Sequence, residues 1–145
     1  GTFAGDNLAT AIMTNTRRGL VVDGGIRDAQ GILHLNKFNA FVKGYDPSAI
    51  ADVTLAEING ITRIGEATCL PGDVVLGTLT GIIFIPPHLA EEVVTTSEAI
   101  RLRDEFGQLR ISQGVYTPGE VDRPFSDLME KDFDKWKTER NQASE

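Results

Sequence analysis

The stretch Leu20-Val21-Val22-Asp23-Gly24-Gly25-Ile26-Arg27-Asp28 constrains the fold more than any other part of the chain. Three consecutive apolar residues, two of them β-branched, read as a short buried strand, and Asp23-Gly24-Gly25 reads as the turn that ends it. Just ahead, Gly5-Asp6-Asn7 followed by Leu8, Ala11 and Ile12 reads as a helix start, capped by Asp6 or Asn7, with the three apolar residues on one face. Gly19 is expected to end that helix, with Arg17 and Arg18 beside its carboxyl-terminal dipole. A helix, a buried strand and a glycine-rich turn in quick succession are the local grammar of an α/β layer.

Beyond this layer, residues 28–35 read as a short helix, Ala40-Phe41-Val42-Lys43 as a strand and Gly44-Tyr45-Asp46-Pro47 as a turn. From Asp52 to Ile85 the pattern is β-rich, with Val74-Val75-Leu76 and Ile82-Ile83-Phe84-Ile85 the best strands. Pro86-Pro87 starts a helix bearing Leu89, Val93, Ile100 and Phe106, and a second helix spans 126–140 with Leu128, Phe133 and Trp136 on its apolar side. Val115 to Gly119 reads as the linker between them. The fold class is therefore α/β, with an α/β domain over residues 1–110 and a carboxyl-terminal helical extension over 111–145.

Charge removes several classes of function. The 145 residues carry 21 acidic and 14 basic side chains, a net charge of -7, without the clustered cations that phosphate backbones require. Nucleic acid is not an expected partner. No run approaches the ~20 apolar residues that span a bilayer, so no membrane partner is expected either. Cys69 is the only cysteine, which rules out an intrachain disulfide and a thiolate metal cluster and fits a reducing compartment such as the cytoplasm.

Two segments could carry chemistry. Arg27 and Asp28 follow the strand at its carboxyl-terminal edge, where α/β sheets bind ligands. An arginine can hold a carboxylate or a developing enolate oxygen through two donors, and an aspartate can ligate a hard cation such as Mg²⁺. On spacing alone, a tight turn whose Arg and Asp cap the next helix is the preferred reading. The second segment, Gly1-Thr2-Phe3-Ala4-Gly5-Asp6-Asn7-Leu8, places a glycine-containing loop before a helix start, a natural anion cradle, although taken alone an ordinary N-cap is the preferred reading. His34 and His88 share no metal-ligand spacing.

Gly5-Asp6-Asn7-Leu8-Ala9-Thr10-Ala11, the segment from Gly19 to Asp28, and the block from Pro71-Gly72-Asp73 to Gly81-Ile82-Ile83-Phe84-Ile85-Pro86 together resemble one family. It is that of the 4-hydroxy-4-methyl-2-oxoglutarate aldolases and the regulators of ribonuclease E activity A, the RraA-like family. The resemblance runs from Gly1 to about Val94. It implies a swivelling β/β/α domain with extra carboxyl-terminal helices, assembly as a homotrimer or hexamer, and an amino-terminal part of the family domain that is missing here or supplied as a separate chain.

It further implies a lyase that uses Mg²⁺ or Mn²⁺ to cleave or decarboxylate a small 2-oxo acid through a pyruvate enolate. Asp28 would ligate the metal directly and Asp6 through metal-bound water. Arg27 would stabilise the enolate oxygen, and Gly1, Thr2, Phe3 and Ala4 would offer amides to the pyruvyl carboxylate. Two places depart from the family pattern: Thr2 stands where the aldolases usually carry Glu, and Thr78 and Thr80 stand where acidic residues are usual. A non-enzymatic regulatory binding protein on the same fold is the alternative from another class, and a sugar-acid lyase or dehydratase is a third reading.

Overall fold

The computed structural model describes residues 2–51 and 53–142, which fall into two compact units, Gly1–His88 and Leu89–Glu145. The division at 110/111 drawn from the sequence lies inside a helix, α3, that runs unbroken from Ala90 to Ser112.

The first unit opens with β1 (Thr2–Ala4), α1 (Asp6–Thr16), β2 (Leu20–Ile26), α2 (Ala29–Leu33) and β3 (Ala40–Tyr45). The strands form a parallel sheet in the order β1-β2-β3, with Val21 opposite Phe41 and Ala4 opposite Ile26. Parallel pairing requires each connection to cross a face of the sheet, and α1 and α2 are those crossovers. Asp23-Gly24-Gly25 is not a turn: β2 continues through it, and the pairing with β3 shifts register between Val22 and Gly25. Glycines in a strand interior tolerate such an irregularity because no side chain has to keep its place in the pleat. β3 likewise continues through Gly44 and Tyr45.

The core of this layer is Ala4, Ala9, Ile26 and Ile32, with Leu20, Leu35, Phe38, Ala40 and Val42 packed against it. On α1 the buried contact is Ala9, while Leu8 is largely exposed, so the apolar stripe expected from the sequence is offset from the face that packs. A methyl side chain at the contact brings the helix axis close to the sheet. Gly5, not Asp6 or Asn7, holds the N-cap position, and no side chain caps the helix. At the other end Arg17 takes the left-handed conformation at φ 53° and donates its N–H to the Met13 carbonyl, closing the helix two residues before Gly19. Gly19 is needed for another reason: a Cβ there would lie 1.8 Å from the backbone oxygen of Asn39, which accepts the Leu20 N–H at 2.9 Å.

Residues 46–51 and 53–61 form no helix or strand, so the expected β-rich region begins only at Thr62, and Asp52 lies outside the described residues. Two antiparallel hairpins follow, β4 (Thr62–Ile64) with β5 (Ala67–Cys69) and β6 (Val74–Thr78) with β7 (Gly81–Ile85). The ring of Phe41 on β3 lies where a side chain at Gly77 would project, 2.3 Å from the Cβ position, so β6 docks on the sheet by backbone. Asp23 ties the first hairpin down: it pairs with Lys43 and accepts the Gly65 N–H at 2.9 Å, and these contacts, Lys43 first, hold its carboxyl below the usual range.

The second unit is helical. Pro87–Leu89 makes a single 3-10 turn into α3, followed by α4 (Pro118–Val121) and α5 (Asp127–Gln142). The expected linker is ordered: the N–H and hydroxyl of Thr117 both donate to the Glu120 carboxylate, starting α4. Phe106 on α3 is fully buried, with the rings of Phe133, Phe125, Trp136 and Tyr116 at 5.3, 5.7, 5.8 and 6.3 Å. Arg110 grips Asp132 through two bonds of 2.7 and 2.9 Å, and the Tyr116 hydroxyl donates to the same carboxylate at 3.2 Å. No helix of the described residues is long and apolar enough to cross a membrane.

Gly19→Ala should destabilise the protein by about 1–3 kcal/mol, because the clashing atom is backbone and cannot swing away; urea titration of the two proteins measures this. Asp132 has its carboxyl lowered by Arg110, so its stabilising effect is complete at neutral pH and is lost as the pH falls through the depressed folded value. Asp132→Asn should therefore cost about 1–3 kcal/mol at pH 7, a difference that narrows as the pH falls below ~4, read from melting curves at the two pH values.

Candidate active site

The end of β2 and the start of α1 meet around the β1–α1 junction. The Arg27 N–H donates to the Ala4 carbonyl at 3.0 Å, which fixes the arginine backbone beside the last residue of β1. Asp28 then takes the left-handed conformation at φ 54° and becomes the N-cap of α2 without a side-chain capping bond. Left-handed geometry is uncommon for a residue with a side chain, and aspartate is among the few that accept it. The expected capping role of this carboxylate is thus not what the structure uses it for. Instead the Arg27 Nε donates to Asp28 Oδ2 at 3.1 Å, with both side chains roughly half exposed. An exposed pair of this kind is worth at most ~1 kcal/mol to stability, so it is available for other work.

Two glycines seat the carboxylates. A Cβ on Gly5 would lie 2.6 Å from Asp28 Oδ2 and 3.0 Å from Arg27 Nε, so both side chains lean over the bare N-cap of α1. A Cβ on Gly31 would lie 2.9 Å from both Cβ and Oδ2 of Asp6, so Asp6 rests on the backbone of α2. Asp6 Oδ1 also accepts the Asn7 N–H at 2.8 Å. Thr2, Phe3, Ala4, Gly5, Asp6, Asn7, Leu8, Arg27 and Ile50 surround a cavity of about 220 Å³. The first turn of a helix presents N–H groups with no partner inside the helix, and here the N-cap, Gly5, has no side chain to take them, while Asp6 Oδ1 takes that of Asn7.

The structure thus brings Thr2, Phe3, Ala4, Asp6 and Arg27 to one cavity and sets Asp28 beside it through Arg27 and Gly5. Gly1 lies outside the described residues. Thr2 is buried, and its hydroxyl is committed to the Asp46 carbonyl at 2.6 Å, so what it can offer a ligand is backbone. Asp46 is itself held by donation of its N–H to Ile26, and its carboxyl is lowered by the Ser48 N–H. Sequence reasoning included Gly5 and Leu8 in the second segment without giving them these roles, and it missed Gly31 and Ile50. Gly31 did carry a signal: a glycine inside a five-residue helix is unfavourable unless something must approach the backbone.

Among the described residues, no three His, Cys, Asp or Glu side chains gather into a metal-ligand set. Asp6 and Asp28, flanking Gly5, supply oxygen donors of the kind that Mg²⁺ takes from protein when substrate and water complete its shell.

The chain belongs to the RraA-like family (Aldolase/RraA), whose model matches residues 1–84. It is 31% identical to an uncharacterized protein of Methanocaldococcus jannaschii, over 67% of this chain and 46% of that one. It is also 31% identical to a protein of Halalkalibacterium halodurans provisionally named a 4-hydroxy-4-methyl-2-oxoglutarate aldolase, over 78% of this chain and 53% of the relative. Protein DlpA of Legionella pneumophila is 32% identical over 78% of this chain and 18% of its own length. The chain therefore spans about half the length of the first two curated relatives and less of the third. A crystal structure described as one of novel cellulases from gut-associated microbes superposes with a TM-score of 0.60 at 28% identity, covering 72% of this chain and 47% of that one.

Because the atoms nearest a new Cβ at Gly5 are the far ends of side chains, Gly5→Ala should fold normally yet push the Arg27–Asp28 pair aside. Affinity for a small carboxylate such as oxalate should fall about tenfold or more by calorimetry, with little change in melting temperature.

Proposed function

We propose that the protein is a divalent-metal-dependent lyase that cleaves or decarboxylates a 2-oxo acid through a pyruvate enolate. The observation that carries this reading is the convergence of Arg27, Asp6 and the glycine-capped start of α1 on one small cavity, with Asp28 beside it. Membership of the RraA-like family and the name of the Halalkalibacterium relative agree with it.

The chemistry asks for stabilised negative charge. When a 4-hydroxy-2-oxo acid is cleaved, the C3–C4 bond breaks and its electron pair moves onto the 2-oxo group as an enolate. The C4 hydroxyl gives up its proton as it becomes a carbonyl, and a proton returns to C3 to complete pyruvate, so the reaction needs no oxidant or reductant. Arg27 would hold the substrate carboxylate or the growing enolate charge by its guanidinium, and the amides at the β1–α1 junction would orient the carboxylate. Asp28 keeps that guanidinium in place through the 3.1 Å bond to Nε. Mg²⁺ or Mn²⁺ held by Asp28 and Asp6 would supply Lewis-acid stabilisation of the same charge. Within this reading the fold is the swivelling β/β/α arrangement, and the exposed Val74, Leu76 and Ile83 fit a chain that assembles as a homotrimer or hexamer.

The test is pyruvate release from oxaloacetate and from a panel of 4-hydroxy-2-oxo acids, with and without Mg²⁺ or Mn²⁺. Arg27→Lys should lose about 10²-fold or more in kcat/KM, because one ammonium cannot replace a two-pronged donor, and Asp28→Asn should lose metal dependence together with turnover. The family also includes non-enzymatic regulators, and a folded assembly that neither releases pyruvate nor binds a divalent metal would belong with them.

A further inference from the structure

One buried hydroxyl beside the cavity takes no part in the chemistry described above. Thr2 on β1 is the one buried polar residue among those described, at a strand position where a valine of the same shape would fit. A buried hydroxyl needs a partner, and that of Thr2 finds it 44 residues away, donating to the Asp46 carbonyl at 2.6 Å. We propose that Thr2 is a positioning residue whose hydroxyl, through Asp46, holds the 46–51 loop so that Ile50 is in place at the cavity before a small carboxylate arrives. The role rests on the reading of that cavity as the substrate site, and deepens it by naming a side chain that governs binding without touching the ligand.

Asp46 directly follows β3, which β2 separates from β1 in the sheet. Its N–H donates to the carbonyl of Ile26 on β2 at 3.0 Å, and its own carbonyl takes the hydroxyl of Thr2 on β1, so this one residue links all three strands. A Cβ on Gly25 would lie 3.4 Å from that of Asp46, so the chain runs close against β2 as it crosses. The Ser48 N–H then donates to the Asp46 carboxylate at 2.9 Å, which starts the loop in a turn.

Among the described residues that line the cavity, Ile50 is the one that neither belongs to nor adjoins β1, β2 or α1. Its place therefore depends on the anchor at Asp46, whereas the Arg27 backbone is fixed separately by its N–H on the Ala4 carbonyl. The cavity holds about 220 Å³, so a ligand of few atoms bound by the guanidinium comes within reach of Ile50. A loop that must be ordered when a ligand binds loses part of the binding free energy to that ordering, and a loop already anchored does not.

Calorimetry with oxalate in the presence of Mg²⁺ tests this on four variants: Thr2→Val, Thr2→Ser, Ile50→Ala and the Thr2→Val/Ile50→Ala pair. Thr2→Val keeps the shape but removes the donor, and should weaken oxalate binding about fivefold or more. Thr2→Ser keeps the donor but removes a buried methyl, so it should lower the melting temperature while oxalate affinity stays within about twofold. Ile50 is 53% exposed, so Ile50→Ala should fold normally and bind oxalate more weakly. The pair should bind no more weakly than Ile50→Ala, because Thr2 acts through that residue. Amide hydrogen exchange at Asp46 and Ser48 should quicken in Thr2→Val, while Ala9, whose N–H donates to the Gly5 carbonyl at 3.0 Å, should stay unchanged.

Unaltered affinity in Thr2→Val, losses that add in full in the pair, or affinity that follows melting temperature across the set overturns the positioning role. Ile50→Ala that binds oxalate as tightly as the unaltered protein overturns it too, whatever becomes of Thr2→Val. In each of these cases pyruvate release by the unaltered protein leaves the lyase reading standing. The expected binding pattern with no pyruvate from any substrate upholds the positioning role and sinks the lyase reading. An unaltered protein that binds no oxalate overturns both.

Discussion

The backbone hydrogen bond from the Arg27 N–H to the Ala4 carbonyl is the constraint on which the candidate site depends. It is the last rung between β2 and the end of β1, and it falls where one strand is about to turn into α1 and the other into α2. Without it, the guanidinium and the helix start would be carried by two loops with independent freedom. With it, the two crossovers of the sheet begin from a common point, and the charged groups inherit the rigidity of a parallel ladder. The core immediately behind, Ala4, Ala9, Ile26 and Ile32, consists of the neighbours of these same residues, so packing and positioning are one task.

Much of this was legible in the sequence because it is local. The helix at Asp6, the strand at Leu20 and the pair Arg27-Asp28 announce themselves through spacing and through glycines at the right places, and the family pattern fixed on the same residues. What stayed hidden depends on tertiary approach. Nothing within Asp23-Gly24-Gly25 distinguishes a turn from a strand with a register shift, since only the partner strand β3 decides. The stripe of Leu8, Ala11 and Ile12 misled because hydrophobicity ranks leucine above alanine, while close docking of helix on sheet selects the small Ala9. Gly5 and Gly31 matter for the atoms they lack, and the atoms that fill the space come from across the fold.

The helical unit shows a different economy. Phe106 sits among four other aromatic rings, and arginines lie over the ring faces while also bonding to carboxylates, as Arg103 does with Phe125 and Glu130. The Phe133-Asp134-Lys135-Trp136 stretch, whose rings the sequence puts on the apolar side of the helix, does pack, with the rings of Phe133 and Trp136 at 6.0 Å. Its charged residues are exposed while its rings face Phe106, which is how so polar a sequence still makes a core.

Ile50 belongs to a stretch that takes part in no sheet ladder, yet that stretch is fastened at its beginning by Asp46, which bonds to Ile26 and receives the Thr2 hydroxyl. Segments of this type change length and composition at little thermodynamic cost, because no strand pairing has to be rebuilt. Ile50 can therefore be exchanged at little cost, while the rest of the cavity's lining is written into or beside β1, β2 and α1. A change in that loop leaves the groups that bear the charge where the sheet holds them.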